Sequence, residues 1–415
     1  MVEIKTISRI IIIIAVLFIS GCASATDSEE LAGESGQDST SYQEIIPAAE
    51  RTEEYLPLLK NKRVALVVNP SSRIDETHLL DFMLSSGITV KRVLAPEHGF
   101  RGDAEAGEHV KSGVDQKTGI PIVSLYGKNR KPREQDLNQI DLVVFDIQDV
   151  GVRFYTYIST MHYVMETCAD LDIEFMVLDR PNPNGFFVDG PVLDKEHQSF
   201  IGMHPIPMVH GMTTGELAQM INGENWLKNE KKVELTVIPV KNYTHNSFYD
   251  LPVAPSPNLP NMSSIYLYPS LGLFEGTPVS IGRGTDMPFQ VIGSPELDTG
   301  SFYFTPKPIP GASMHPKHNG QYCRGWDLRD TAYALRDQKK IHLSWLIETY
   351  QRSKNKPEFF RPFFFKLCGN KELKQKIVNG WNEKQIRDSW KPELEEFSKI
   401  RKKYLLYPDA DKSDK

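Results

Sequence analysis

The chain has 415 residues, of which 40% are hydrophobic and 25% charged, with a formal net charge of −6. This composition is typical of a globular protein of two or three domains, and it excludes a wholly disordered, collagen-like or polytopic membrane protein. Residues 23–50 contain seven Asp or Glu and no Lys or Arg, and residues 51–415 are neutral overall. A neutral body lacks the basic surface that phosphate neutralisation needs, so we expect no nucleic-acid partner.

The N-terminus has the pattern of an exported lipoprotein. Basic residues precede an unbroken apolar run over residues 10–19, about half of the roughly 20 residues that a membrane span needs. Ser20-Gly21-Cys22 follows and resembles the bacterial lipobox, in which a peptidase cuts before the Cys and the Cys is lipidated. We predict a lipoprotein signal peptide over 1–21, lipidation at Cys22 and an acidic, flexible tether over 22–50. An ordinary signal peptide with a chance Cys is the alternative.

The sequence after Cys22 bears on location. Residues 23 and 24 are Ala and Ser, with no Asp directly after the Cys. By resemblance to inner-membrane retention signals, this favours the outer membrane. We therefore expect a cell-envelope lipoprotein that is attached to a membrane through its N-terminal lipid.

Four short β-branched runs alternate with helical segments in the first half of the chain. The runs cover 63–69, 88–95, 142–147 and 173–179, and helical spacing covers 76–86 and 157–169. Runs that are hydrophobic at nearly every position are typical of buried parallel strands. The alternation predicts an α/β fold, Rossmann-like, with a doubly wound and mostly parallel sheet.

Further along, the pattern is more mixed. Thr213 and Glu216 fit a capping box, which predicts another helix start. The Pro-rich stretch 251–260 indicates a boundary or a long ordered loop, and amphipathic helices are predicted near 372–379 and 385–402. We predict a Rossmann-like catalytic domain over 51–240 and a smaller α+β C-terminal domain over 241–415 that closes the cleft.

Polar and aromatic side chains follow three of the four strand runs. They are Glu97, His98 and Arg101 after the second run, Asp146, Gln148, Asp149, Arg153, Tyr155 and Tyr157 at and beyond the end of the third, and Asp179, Arg180 and Asn182 after the fourth. Because the carboxyl ends of parallel strands lie along one edge of a sheet, we expect these residues to share one ligand-binding crevice.

Five of these residues are candidates for catalysis. Glu97 and His98 offer a carboxyl group beside an imidazole, two common general acid and base groups. Asp146 and Asp149 offer a second carboxylate, and two carboxyl groups are the minimum for glycoside hydrolysis. Tyr155 is an alternative, as a phenolic nucleophile.

A second group of residues suits substrate binding. Arginines are suited to bidentate capture of a carboxylate, and loops rich in Gly and Pro often carry binding residues. The candidates are Arg101, Gln148, Arg153, Tyr157, Asp179, Arg180, Asn182, His210, Asn258, Glu275 and Arg283.

Common cofactor motifs are absent from the sequence. The first strand-to-helix turn, residues 70–73, has no glycine, so the dinucleotide fingerprint is missing. The sequence also contains no G-x-S-x-G elbow, Walker loop or H-E-x-x-H motif. We predict no cofactor and no metal, although Glu97-His98 and Glu108-His109 leave a metal site open.

Four segments resemble a bacterial family, the NamZ-like exo-β-N-acetylmuramidases, formerly a domain of unknown function. They are 96–102, 145–155, 179–183 and 257–285, and the similarity runs from about residue 55 to 408. The resemblance implies a Rossmann-like domain with a smaller C-terminal domain, a site in the cleft between them and a catalytic glutamate at Glu97.

The resemblance also implies a substrate. The family removes N-acetylmuramic acid (MurNAc) from non-reducing ends of peptidoglycan fragments such as MurNAc-GlcNAc. The lactyl carboxylate of MurNAc would give the arginines a partner. Two other functions stay open: a lipid-anchored, non-catalytic sugar-binding protein and a metal-dependent ester or amide hydrolase.

Overall fold

The predicted hydrophobic runs form strands of a central sheet in the computed structural model, which describes residues 43–97, 99–101 and 112–409. Each of the four runs agrees with a strand to within one residue at either end. The strands are β1 (Arg63–Val68), β2 (Arg73–Ile74), β3 (Thr77–His78), β4 (Thr89–Ala95), β5 (Gly113–Val114), β6 (Pro121–Ser124), β7 (Leu142–Asp146), β8 (Glu174–Leu178), β9 (Asp189–Val192), β10 (Pro207–Val209), β11 (Leu235–Ile238), β12 (Val291–Ser294), β13 (Phe302–Phe304) and β14 (Cys323–Asp327).

The central sheet has the strand order β11-β8-β7-β1-β4-β6-β5. Neighbouring strands are parallel except for the β5–β6 pair, which is antiparallel. Numbered along the chain, the six parallel strands have the order 3-2-1-4-5-6 of a doubly wound, Rossmann-type sheet. The predicted fold class is confirmed, and the order reverses between β1 and β7.

Helices cover both faces of this sheet and continue into the second half of the chain. They are α1 (Thr52–Leu59), α2 (Leu79–Ser85), α3 (Tyr157–Asp170), α4 (Thr214–Gly223), α5 (Met262–Leu271), α6 (Ala332–Gln338), α7 (Ser344–Arg352), α8 (Pro362–Cys368), α9 (Glu372–Val378), α10 (Glu383–Asp388) and α11 (Lys391–Arg401).

The side chains of β1 show why helices pack on both faces of the central sheet. Val64 and Leu66 pack into one core cluster with α1 and α2, whereas Ala65 and Val67 pack into another with α3 and α4. Successive residues of a strand point to opposite faces, so a strand buried on both sides is hydrophobic throughout. The result is a three-layer arrangement.

The second half adds helices α5–α11 and a three-stranded antiparallel sheet of order β12-β14-β13. Most of its buried side chains belong to the same core cluster as those of α3 and α4, whereas Val291, Phe304 and Cys323 form a small cluster of their own. The prediction of a single helix over 385–402 is wrong in one respect, because this stretch contains the end of α10 and the whole of α11 as two separate helices. Pro392 lies in the first turn of α11, where its missing N–H breaks no helical hydrogen bond.

The two ends of the described chain pack where β8 ends and α4 begins. Tyr407 donates its hydroxyl to Asp179 Oδ2 at 2.5 Å, and the Leu406 amide donates to Glu216 Oε1 at 2.8 Å. Ala48 is fully buried, and its amide donates to the Asp179 carbonyl at 3.0 Å. Residues 44–50, assigned to the tether from sequence, therefore pack against the folded body.

The domain boundary and the N-terminal lipoprotein signal stay predictions. Residues from Glu44 onward form one compact unit, and the domain boundary at 240/241 stays a prediction. In the part of the chain that the structure describes, no helix has the length and apolar character of a membrane span. Residues 1–42, with the predicted signal peptide, Cys22 and most of the tether, lie outside the described residues.

Candidate active site

A cavity of about 520 Å³ lies at the carboxyl edge of the central sheet. It draws residues from the loops after β4 and β7, from the Pro-rich loop, from the segment after α5, from the β13–β14 connection and from α8. The lining residues are Glu97, Tyr126, Phe154, Tyr155, Thr156, Tyr157, Ile201, Ser256, Asn258, Tyr268, Glu275, Arg283, Ala312, Ser313, Met314, His315, Phe363 and Leu367. The carboxyl edge near the reversal of strand order is where doubly wound sheets bind ligands.

Six of the residues predicted from sequence line this cavity. Two strand-end loops supply three of them, and the second half of the chain supplies the other three. They are Glu97, Tyr155, Tyr157, Asn258, Glu275 and Arg283. Glu97 is half-buried two residues beyond β4. His98 lies outside the described residues.

Glu275 and Arg283 form an ion pair within the cavity. Arg283 Nη2 lies 2.8 Å from Glu275 Oε1, and the two side chains are 34% and 25% exposed. Burial lowers the pKa of Arg283, but the Glu275 carboxylate outweighs this and raises the pKa overall. Arg283 Nε has no hydrogen-bond partner among the described residues. That Nε atom is buried, but among the described residues only Nη2 donates to Glu275, so Nη1 is left for a ligand while Arg283 holds a carboxylate beside it.

The turn that presents Arg283 requires glycine on both sides. Gly282 and Gly284 have φ values of 78° and 84°, a left-handed conformation that costs other residues energy. A Cβ at Gly282 would lie 2.3 Å from the Met287 carbonyl oxygen. The Gly-Arg-Gly sequence thus fixes the direction of the backbone that carries Arg283.

Buried tyrosines form the inner wall of the cavity. Tyr155 and Tyr157 pack edge to face with ring centroids 5.0 Å apart, and Tyr155 packs in the same way against Tyr268 at 5.9 Å. The Tyr155 hydroxyl donates to the Pro255 carbonyl at 2.7 Å, and burial raises its pKa well above the ordinary value. Burial also raises the pKa of Tyr157, and the nearby charge of Glu97 adds to this. These phenols are neutral groups at neutral pH.

The two aspartates proposed as the second carboxylate lie behind the cavity lining. Asp146 is fully buried and accepts from Arg180 Nε and Nη2 at 2.5 and 2.9 Å. Asp149 Oδ2 accepts from the Gly151 amide at 2.6 Å, and Oδ1 has no partner among the described residues. Burial raises the pKa of Asp149 to about 7. Neither residue lines the cavity.

The contacts of Arg101, Arg153 and Arg180 indicate structural roles. Arg101 pairs with two carboxylates, and Arg180 pairs with Asp146. Arg153 is fully buried, and burial lowers its pKa to about 10. Its guanidinium donates to four backbone carbonyls at 2.7–3.1 Å, those of Pro191, Ile206, Leu367 and Cys368.

Four polar candidates are likewise held by the fold, away from the cavity lining. Gln148 Nε2 donates to two carbonyls at 2.8 Å, and Asn182 Nδ2 donates to one at 2.8 Å. Asp179 caps the start of α4, accepting from the Gly215 amide at 2.8 Å, and burial raises its pKa to about 6. Burial lowers the pKa of His210 to about 3.

The cavity also contains residues that the sequence did not single out. Tyr126, Tyr268, Met314, His315 and Phe363 are examples. One signal was available for Phe363, because residues 359–365 contain five Phe, more than one helix face can bury. Residues 43–97, 99–101 and 112–409 contain no group of three or more His, Cys, Asp or Glu side chains placed to hold a metal ion.

Comparisons with known proteins agree with this architecture. Residues 64–263 match the family model described as exo-β-N-acetylmuramidase NamZ, N-terminal, and residues 266–407 match the corresponding C-terminal model. A Bacillus subtilis (strain 168) protein named peptidoglycan β-N-acetylmuramidase NamZ is 39% identical over 407 residues, covering 94% of this chain and 96% of that protein.

Two crystal structures of DUF1343 family proteins from Bacteroides fragilis NCTC 9343 share the fold. Their TM-scores are 0.83 and 0.74, their identities are 46% and 27%, and each match covers 88% of this chain. The matches cover 100% and 99% of the two solved chains. The chain therefore belongs to the NamZ family of exo-β-N-acetylmuramidases, and it is a glycoside hydrolase.

Proposed function

We propose that this hydrolase releases MurNAc from the non-reducing ends of peptidoglycan fragments, with the chemistry in the 520 Å³ cavity. The observation that carries the proposal is the presence of two carboxyl side chains and one arginine, Glu97, Glu275 and Arg283, in one lining. Most glycoside hydrolases use a pair of carboxyl groups. The lactyl carboxylate of MurNAc is a partner for the remaining donors of Arg283.

The two carboxyl groups take different roles in this proposal. Glu275 forms an ion pair with Arg283, and we assign it the role of the carboxylate. Glu97 is then the general acid: it donates a proton to the glycosidic oxygen as the bond to C1 breaks. Glu275 either accepts the proton of the water that attacks C1 or attacks C1 itself. The anomeric configuration of freshly released MurNAc, followed by NMR, distinguishes inversion from retention.

The test uses residues 23–415 with the disaccharide MurNAc-GlcNAc and with a chromogenic β-MurNAc glycoside. Free MurNAc is measured by mass spectrometry for the wild type and for Glu97→Gln and Glu275→Gln. We expect the wild type to release MurNAc and Glu97→Gln to lose about 10²- to 10⁴-fold in kcat on the disaccharide. Glu174→Gln is the matched control, because Glu174 is also paired with a cation but lies outside the cavity lining.

Three other results would favour a different function or a different role for Glu97. Tight binding of the disaccharide without release by the wild type would favour a sugar-binding protein. Loss of release in the presence of a chelator would favour a metal-dependent hydrolase. Full activity in Glu97→Gln would remove Glu97 from the chemistry.

We also propose that the enzyme is a lipoprotein of the cell envelope, held in the outer membrane through Cys22. The support is the charged start, the apolar run over 10–19 and the Ser20-Gly21-Cys22 sequence. Growth of expressing cells with a clickable fatty acid should label the full-length chain and should not label Cys22→Ser. An equally labelled Cys22→Ser variant would contradict lipidation at this residue, and sedimentation of the wild type with inner membranes would contradict the outer-membrane assignment.

A further inference from the structure

The cavity has a buried inner end and an exposed apolar rim. Tyr155 and Tyr157, at the inner wall, are 9% and 3% exposed, whereas Met314 and Phe363 are 43% and 40% exposed. All four line the same cavity. Large apolar side chains left in water at the mouth of a binding cavity are typical of a surface that a ligand covers. We call Met314 and Phe363 the rim pair.

Phe363 is exposed in a segment where three of the other four phenylalanines are buried. Phe359, Phe360 and Phe364 are 1%, 5% and 0% exposed. Phe364 lies against the backbone of Gly276, where a Cβ would come within 2.4 Å of the Phe364 Cα. This close approach fixes α8 beside the turn Gly272–Gly276, which carries Glu275. Phe363 is thereby held at a set position relative to the ion pair of the site.

Met314 is anchored to the same backbone from the other side. Its loop continues to Lys317, whose Nζ lies within hydrogen-bond distance, 2.7–3.2 Å, of the carbonyls of Phe274, Glu275, Thr277 and Val279. Asn258 Nδ2 also donates to the Ala312 carbonyl at 2.9 Å. The packing of α8 on Gly276 and the contacts of Lys317 therefore both hold the rim pair next to the segment that bears Glu275.

We propose that the rim pair forms the subsite for the sugar on the reducing side of the bond that is cleaved, a pyranose such as N-acetylglucosamine. This rests on the proposed function. In an exo-acting enzyme the terminal sugar occupies the inner end of the cavity, with the ionic groups, so the next sugar lies at the mouth. A pyranose ring presents a face of C–H groups, which packs on the Phe363 ring and the flexible Met314 side chain. His315, exposed on the same loop, is placed beside this sugar's hydroxyl groups.

The subsite makes a prediction about leaving groups. Binding energy from a part of the substrate that does not react contributes to the rate only when that part is present. Loss of the Phe363 ring should therefore penalise MurNAc-GlcNAc more than a methyl β-MurNAc glycoside, which has no second sugar. The quantity to compare is the ratio of the two kcat/KM values, because the intrinsic reactivity of each leaving group cancels between variants.

We expect this ratio to fall about tenfold in Phe363→Ala, to fall in the same direction in Met314→Ala, and to be retained in Phe363→Tyr. Phe248→Ala is the matched control, because Phe248 is 42% exposed and lies outside the cavity lining. A ratio that stays at the wild-type value in both alanine variants would overturn the subsite. Failure of the wild type to release MurNAc from either glycoside would overturn the proposed function instead, so the two failures are distinct.

Discussion

Replacement of Asp149 by Asn should change how the stability of the protein depends on pH. The Asp149 side chain is buried, and its Oδ1 has no partner among the described residues. Burial raises its pKa to about 7, although the Gly151 amide favours the carboxylate. The native state therefore holds a proton that the unfolded chain, with an ordinary Asp pKa of about 3.9, has released.

The sign and size follow from the difference between these pKa values. Between pH 4 and 7 the native state binds more protons than the unfolded state at this group, so its contribution to stability falls as the pH rises. At pH 5 the group is about two units below its native pKa, which corresponds to about 3 kcal/mol at about 1.4 kcal/mol per unit. By pH 8 that contribution is gone. Asn keeps an acceptor for Gly151 and does not titrate.

Urea unfolding of residues 44–415 at pH 5 and pH 8 measures this contribution. Relative to the wild type, Asp149→Asn should gain about 2–3 kcal/mol of unfolding free energy on going from pH 5 to pH 8. The comparison between variants cancels the other groups that titrate in this range. A difference between the two proteins that is the same at both pH values would refute the raised pKa of Asp149.

Three further variants test the contacts that Arg283, Lys317 and Arg153 make. Arg283→Met should remove the wild-type preference for β-MurNAc glycosides with a free lactyl carboxylate over their lactyl amides, a loss of about 10- to 100-fold in kcat/KM ratio; an unchanged ratio would exclude Arg283 from carboxylate binding. Lys317→Met should lower the unfolding free energy by about 2–4 kcal/mol and increase proteolysis within 305–322, and an unaltered cleavage pattern would count against the anchor. Arg153→Met should cost about 3–5 kcal/mol in urea unfolding because it leaves four buried carbonyls without a donor; a cost below 1 kcal/mol would show that they find other donors.

The first half of the fold could be predicted because its strands are buried on both faces. Residues 64–68 and 142–145 are hydrophobic throughout for that reason, and the capping box of Thr213 and Glu216 is present as predicted. Helix α5 was missed. It contains Pro269 and follows a Pro-rich loop, and tertiary burial of residues 264–271 stabilises it against its local preference.

The candidate site was predicted less completely, for a different reason. A charged residue at the end of a buried strand needs a partner, but the sequence does not say whether a ligand or the fold provides it. For Arg180 the partner is Asp146, and for Arg153 it is a set of carbonyls up to 215 residues away. The outer half of the cavity, with Met314 and Phe363, depends on contacts between segments distant in the chain, which local patterns do not specify.

The hydroxyl of Tyr407 has a consequence for the synthesis of this protein. It donates to Asp179, just beyond β8, across 228 residues of chain, and the adjacent amide of Leu406 donates to the fully buried Glu216. A ribosome therefore delivers the last donors for these two carboxylates, one just beyond β8 and one in α4, only after it has translated residues 406 and 407. A chain terminated before residue 406 keeps the contacts of Asp179 with Gly215 and of Glu216 with His245 but lacks these later donors. We expect such fragments to be less stable than the full chain and to be degraded more readily by cellular proteases.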